Sequence, residues 1–145
     1  MDPIKLASLQ NQINTLKTQL SNSQANSAKQ RIQNQLSYKL GQNMIINSKN
    51  IFGIIFMPIY LLSIFLNYKK EQKIYQEKIK KDPSLKLPPL ESYADYNEAL
   101  KFKEHLSYKL GEALIKANNN WNRGGYIKLW FEIRKLRKEF KNKKA

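Results

Sequence analysis

The chain has 145 residues, 26 Lys and Arg against 11 Asp and Glu, a net charge of +15, and no cysteine. That length suits one ordinary domain, and the missing thiol excludes disulfides, thiolate metal sites and cysteine nucleophiles. The basic surplus implies attraction to nucleic acid, anionic lipid or a phosphorylated partner, and it is mainly C-terminal: residues 1–48 carry five basic side chains against one acid, residues 67–145 twenty against ten.

The N-terminus, Met1-Asp2-Pro3-Ile4-Lys5, has no basic stretch followed by an apolar run, so no secretory signal peptide is expected there. Leu6, Leu9, Ile13, Leu16 and Leu20 are spaced 3, 4, 3 and 4 apart. This is the a/d rhythm that brings one apolar seam to a partner helix. It predicts a polar, coiled-coil-like helix within residues 1–34. The same register then meets Ser23, Ser27, Gln30 and Asn34, so the seam ends after little more than two heptads. Two uses of this helix stay open: homo-oligomerisation, or packing on a larger body.

A first helical module is expected over 35–81. Leu36, Leu40, Met44 and Ile45 recur at helical spacing before Asn47-Ser48-Lys49-Asn50 interrupts them. Ile51–Leu66 follows, sixteen residues without a charge, with Lys49, Lys69 and Lys70 outside them. A spanning helix needs about 20 apolar residues, so three placements stand side by side: a re-entrant or in-plane membrane segment, a true span, or a buried helix of a soluble assembly. Pro58 removes a backbone donor, which predicts a kink or break there. Residues 68–81 read as an exposed helix that emerges into water.

Asp82-Pro83 stops that helix, and Leu87-Pro88-Pro89-Leu90 predicts an extended, stiff linker over 82–92. The second module occupies 93–145. Ser92 or Asp95 is positioned to cap its first helix, with Glu98 completing a capping box. That helix is expected to run through Ala99, Phe102, Leu106, Leu110, Leu114 and Ile115, ending at Asn118-Asn119-Asn120. Gly124-Gly125 predicts a sharp turn. A last helix, from about Tyr126 to Lys141, carries Tyr126, Leu129, Trp130, Ile133, Leu136 and Phe140 as one apolar stripe flanked by cations.

The hexapeptide Leu36-Ser37-Tyr38-Lys39-Leu40-Gly41 recurs as Leu106-Ser107-Tyr108-Lys109-Leu110-Gly111, an offset of 70 residues. At that offset Met44 matches Leu114, Ile45 matches Ile115 and Asn50 matches Asn120. Beyond the turn, Met57 falls on Ile127, Ile59 on Leu129, Tyr60 on Trp130 and Leu66 on Leu136. The expected fold is therefore all-α, an elongated arrangement with two copies of a helix-turn-helix module.

No P-loop, GxGxxG, GxSxG or HExxH occurs. The lone His105 stands where Gln35 opens the first copy, so neither catalysis nor metal binding is assigned to it. No catalytic, cofactor-binding or metal-ligating residue is expected. The side chains suited to a membrane surface are Ile51, Phe52, Ile55, Phe56, Pro58, Tyr60, Leu62 and Phe65 in the apolar segment. In the second module they are Trp121, Tyr126, Lys128, Trp130, Arg134, Lys135, Arg137, Lys138 and Lys141, where aromatics seat in the headgroup region and cations meet anionic lipid.

The segments at 106–117 (Leu-Ser-Tyr-Lys-Leu-Gly-Glu-Ala-Leu-Ile-Lys-Ala) and 124–136 (Gly-Gly-Tyr-Ile-Lys-Leu-Trp-Phe-Glu-Ile-Arg-Lys-Leu), with the spacer Lys-Asp-Pro-Ser-Leu-Lys-Leu-Pro-Pro-Leu at 81–90, resemble the C-terminal region of surface-polysaccharide sugar transferases of Campylobacter and Helicobacter type. The resemblance covers about residues 30–145 and lacks the catalytic domain, so no catalytic residue carries over. It implies a non-catalytic membrane-targeting or assembly module in capsule or lipooligosaccharide biosynthesis. The implied partners are anionic inner-membrane lipid and a glycosyltransferase catalytic domain, with the chain at the cytoplasmic face of the inner membrane. A basic helical nucleic-acid-binding protein and a soluble cytoplasmic oligomerisation module are the alternatives.

Overall fold

The computed structural model describes residues 2–25 and 27–144, with the backbone alone for 17–25. Leu20 and Ser23 of the N-terminal seam lie outside the described side chains. The fold is all-α, with no strand among the described residues: α1 (Pro3–Ala25), α2 (Ala28–Gln33), α3 (Leu36–Asn47), α4 (Ile51–Lys81), α5 (Tyr96–Leu100), α6 (Leu106–Asn119) and α7 (Gly125–Lys143).

The core starts where the two copies of the hexapeptide meet. α3 and α6 share the most extensive contact between any two helices. They come so close that a Cβ built on Gly41 would fall on the Ser107 carbonyl oxygen, and one built on Gly111 on that of Ser37. Small residues four apart on each helix let backbone meet backbone, and Leu40 and Leu110 are buried beside the contact.

Both helices open the same way. Gln35 and His105 precede them in extended conformations, φ −65° and ψ 148° against φ −66° and ψ 148°. The Tyr108 hydroxyl donates to Gln35 Oε1 at 2.8 Å, and the Tyr38 ring lies 6.4 Å from that of His105. Each tyrosine thus reaches the residue that opens the opposite helix. Burial pushes the Tyr108 phenol above its ordinary value, Glu112 adds to this, and Ser37 opposes it.

Two apolar clusters flank the crossing. Ala28, Ile32, Ala99 and Tyr108 form one, joined by Tyr38, Leu90, Tyr93, Tyr96 and Phe102. Met44, Leu110 and Leu136 form the other, joined among others by Met57, Leu61, Ile133 and Phe140. Segments leading into α3 and α6 share the first cluster, and the helices leading out of them share the second. α4 and α7 therefore lie on the same side of the crossing.

The register between copies changes after the turn. A Cβ on Gly53 would strike the Asn47 carbonyl and one on Gly125 the Ala117 carbonyl. Asn47 and Ala117 keep the offset of 70, but the two glycines stand 72 apart. With this offset Met57, Leu61, Ile64 and Tyr68 match Leu129, Ile133, Leu136 and Phe140, all half-buried or buried. The expected pairings of Met57 with Ile127 and Leu66 with Leu136 are thus corrected, because the turn into α7 is two residues longer.

Three further expectations change. α4 does not break at Pro58 but continues as one helix to Lys81, and the exposed helix expected over 68–81 is its second half. Only one ladder donor is lost at proline, and Met57 and Leu61 on either side of it are held in the second cluster. The helix expected from Ala99 to Ile115 is divided, because a 3₁₀ turn at Lys101–Glu104 and extended His105 separate α5 from α6. The linker is not simply extended: 3₁₀ turns occupy Pro83–Leu85 and Leu90–Ser92. The Leu87 N–H donates to the Tyr75 hydroxyl at 2.9 Å, tying the linker to α4.

Asp95 makes no side-chain cap on α5. Its carboxylate instead accepts from the N–H groups of Ala28 and Lys29 at 2.9 and 3.1 Å, capping α2 across the chain. Those bonds, the one from Lys29 foremost, hold its carboxyl below the usual carboxylate range.

Two predictions follow from this geometry. Gly41→Ala and Gly111→Ala should each lower the unfolding free energy by about 3 kcal/mol, the upper part of the overpacking range, because the obstructing atoms are backbone; urea unfolding followed by circular dichroism measures the loss. Asp95 stabilises the fold fully above its unfolded pKa of about 3.9 and loses that contribution as pH falls through the lower folded value. Wild type should therefore exceed Asp95→Asn in urea midpoint at neutral pH, and the two midpoints should converge in acid.

Candidate functional site

The first half of α4 supplies the largest uncovered apolar surface. Its helix begins at Asn50, whose side chain accepts from the Gly53 N–H at 2.6 Å. Met57 and Leu61 pack into the body, while Ile51, Phe52, Ile54, Ile55, Phe56, Ile59, Tyr60, Leu62 and Leu66 are exposed, Phe52 at 72%. Among the described residues α4 is the one helix long and apolar enough to cross a membrane, and only 6% of its most apolar window is buried. A core helix of a self-contained domain would be mostly covered. At residue 69 the helix becomes charged, and Lys69 lies 4.8 Å from the centre of the Phe65 ring.

The second apolar surface is built by the entry to α7. Gly124 adopts the left-handed conformation, φ 75°, that admits the turn from Trp121–Arg123 into the helix. The Tyr126 hydroxyl bonds to Asn118 Oδ1 at 2.8 Å and ties α7 back to the end of α6. Leu129, Ile133, Leu136 and Phe140 face the body. Trp121, Tyr126, Ile127, Trp130 and Phe131 are exposed, Trp121 at 71%.

The single stripe expected on α7 is therefore two faces. Tyr126 and Trp130 leave the packed row and join Ile127 and Phe131, which the stripe omitted. The spacing of Ile127 and Phe131, one turn apart and adjoining Trp130, was the available signal.

The expected residues form two surfaces rather than one cluster. Ile51, Phe52, Ile55, Phe56, Pro58, Tyr60 and Leu62 are exposed on α4, whereas Phe65 is half-buried. Trp121, Tyr126, Lys128, Trp130, Arg134, Lys135, Arg137, Lys138 and Lys141 are exposed at or on α7. Ile54, Ile59 and Leu66 extend the α4 surface. The Arg134 guanidinium lies 4.7 Å from the centre of the Trp130 ring, placing a cation beside the outward aromatic face. The ion pairs among the described residues are Lys39–Glu71 and Lys109–Glu104, and neither uses an α7 cation.

The His105 ring meets that of Phe102 at a tilt of 47° with centres 4.6 Å apart, at the exposed start of α6. Among the described residues no three His, Asp or Glu side chains converge on a common metal position.

No curated protein and no solved structure matches the chain. A family model described as a domain of unknown function, DUF8374, matches residues 2–142, and the chain belongs to that family.

Proposed function

We propose that this protein is a non-catalytic membrane-targeting or assembly module that attaches surface-glycan sugar-transfer machinery to the cytoplasmic face of a bacterial inner membrane. The observation that carries the membrane reading is the uncharged start of α4, of whose most apolar window only 6% is buried and whose Ile51, Phe52, Ile54, Ile55, Phe56, Ile59, Tyr60, Leu62 and Leu66 are exposed. Transfer of such side chains out of water contributes about 1.5–3 kcal/mol each when complete. α7 adds outward aromatics suited to the headgroup region and cations suited to anionic lipid.

The placement of α4 against α3 favours shallow, in-plane insertion over a span. Met57 and Leu61 pack with Met44, so driving α4 through the bilayer would take Gln42, Asn43 and Asn47 of α3 with it. Polar groups cost several kcal/mol each in hydrocarbon unless paired. Lying along the surface, α4 can place its outward face among acyl chains while α3 stays above it. Its charged end beyond Lys69 then remains in water.

The link to sugar transfer rests on the likeness of residues 81–90, 106–117 and 124–136 to the tail of surface-polysaccharide sugar transferases. In this reading the chain contributes attachment, and a glycosyltransferase catalytic domain is its partner.

Flotation with vesicles tests the membrane reading. The protein should float with anionic vesicles and less with zwitterionic ones, and added salt should weaken the α7 contribution. Trp121 and Trp130 are the two tryptophans of the chain, so their emission should shift to the blue on binding. Phe52→Glu combined with Ile55→Glu should reduce partitioning by on the order of 100-fold without lowering the melting temperature, because both side chains are exposed. Absence of flotation at low salt with either vesicle would overturn the reading.

A further inference from the structure

We infer that α1 is a self-association element, its seam of Leu6, Leu9, Ile13 and Leu16 pairing with the same seam of a second copy of this chain. Every described side chain from residue 2 to residue 16 is exposed. The four seam residues stand at 57%, 40%, 44% and 63% exposure. α1 meets the body chiefly at α2, so among the described residues nothing covers these four side chains.

Charge and periodicity identify the occupant. Residues 2–25 carry only Asp2, Lys5 and Lys17, a net charge of +1 in a chain of +15. This is the segment where two strongly basic copies can meet without bringing like charges together. Taking Leu6 as position a, Lys5 at g faces Gln10 at e of the partner, and Gln12 at g faces Lys17 at e. No like-charge pair opposes a parallel dimer in this register.

The seam also has the residue types of a two-stranded pair, with Ile13 at a and Leu9 and Leu16 at d. Lipid is a poorer match, because the remaining faces of α1 are largely Gln, Asn, Ser and Thr and carry only Lys5 and Lys17, too few cations to draw an amphipathic helix to an anionic surface. A seam of little more than two heptads gives weak pairing, so dimer should build up with protein concentration. This inference is independent of the membrane reading.

The absence of cysteine makes disulfide trapping specific. In the full chain, Leu9→Cys and Leu16→Cys should each form several-fold more disulfide dimer under mild oxidation than Asn11→Cys, which lies on the opposite face. Equal yields at the three positions would overturn the inference. Sedimentation of the cysteine-free protein should show dimer rising with concentration, and Leu9→Lys combined with Leu16→Lys should remain monomeric with an unchanged melting temperature. A wild type that stays monomeric throughout would also overturn it, as would a loss of vesicle binding in the double variant while both proteins sediment as monomers.

Discussion

The rest of the structure depends on backbone-to-backbone contact at the crossing of α3 and α6. Gly41 sits against the carbonyl of Ser107 and Gly111 against that of Ser37. Where two helices approach this closely there is no room for even one Cβ, and dispersion between backbones replaces the usual interlocking of side chains. Side chains next to the contact are consequently directed outward to either side. Leu110 and Met44 enter one cluster, and Tyr38 and Tyr108 contact the other.

That arrangement explains why so small a core organises so long a chain. Among the described residues few large side chains are fully buried, and Ile32 is the largest below 2% exposure. Polar contacts extend the core's reach. Asp95 caps α2 from a distant part of the sequence, Tyr108 holds Gln35, and Tyr75 receives the N–H of Leu87. Asp95 and Tyr75 satisfy backbone N–H groups at element ends, where helix and turn geometry leaves donors without internal partners, and Tyr108 joins the two helix starts side chain to side chain. The linker is thereby fastened to both the α4 side and the first cluster.

The same economy leaves apolar surface uncovered. α4 and α7 each spend one row of side chains on the second cluster, Met57 and Leu61 on one helix and Ile133 and Leu136 on the other. The start of α4 is apolar on its remaining faces as well, and that of α7 exposes Tyr126, Ile127, Trp130 and Phe131 beside Lys128. Among the described residues no further layer covers those faces. Here they adjoin lysines on α4 and a row of arginines and lysines on α7, and α1 carries a separate, nearly neutral seam. The three exposed surfaces thus differ in charge as well as in shape.

By itself the sequence determined the all-α class, because apolar residues at helical spacing and the breaks at Asn47–Asn50, Asp82-Pro83 and Asn118–Asn120 are local signals. It also revealed the identical hexapeptides and the uncharged segment Ile51–Leu66. What only the tertiary structure decided were matters of partnership. The periodicity of α7 could not divide Tyr126 and Trp130 from Leu129 and Ile133, since adjoining rows of one helix are separated only by the neighbour that packs on them. Asp95 and Glu98 have the spacing of a capping box, but the carboxylate serves α2, which folding brings beside it. The offset of 70 could not remain correct past a turn whose length differs between the copies, because a side chain's environment follows its place on the helix rather than its count along the chain. The hexapeptide marked a repeat, but only the approach of Gly41 and Gly111 to opposing carbonyls made that repeat the centre of the fold.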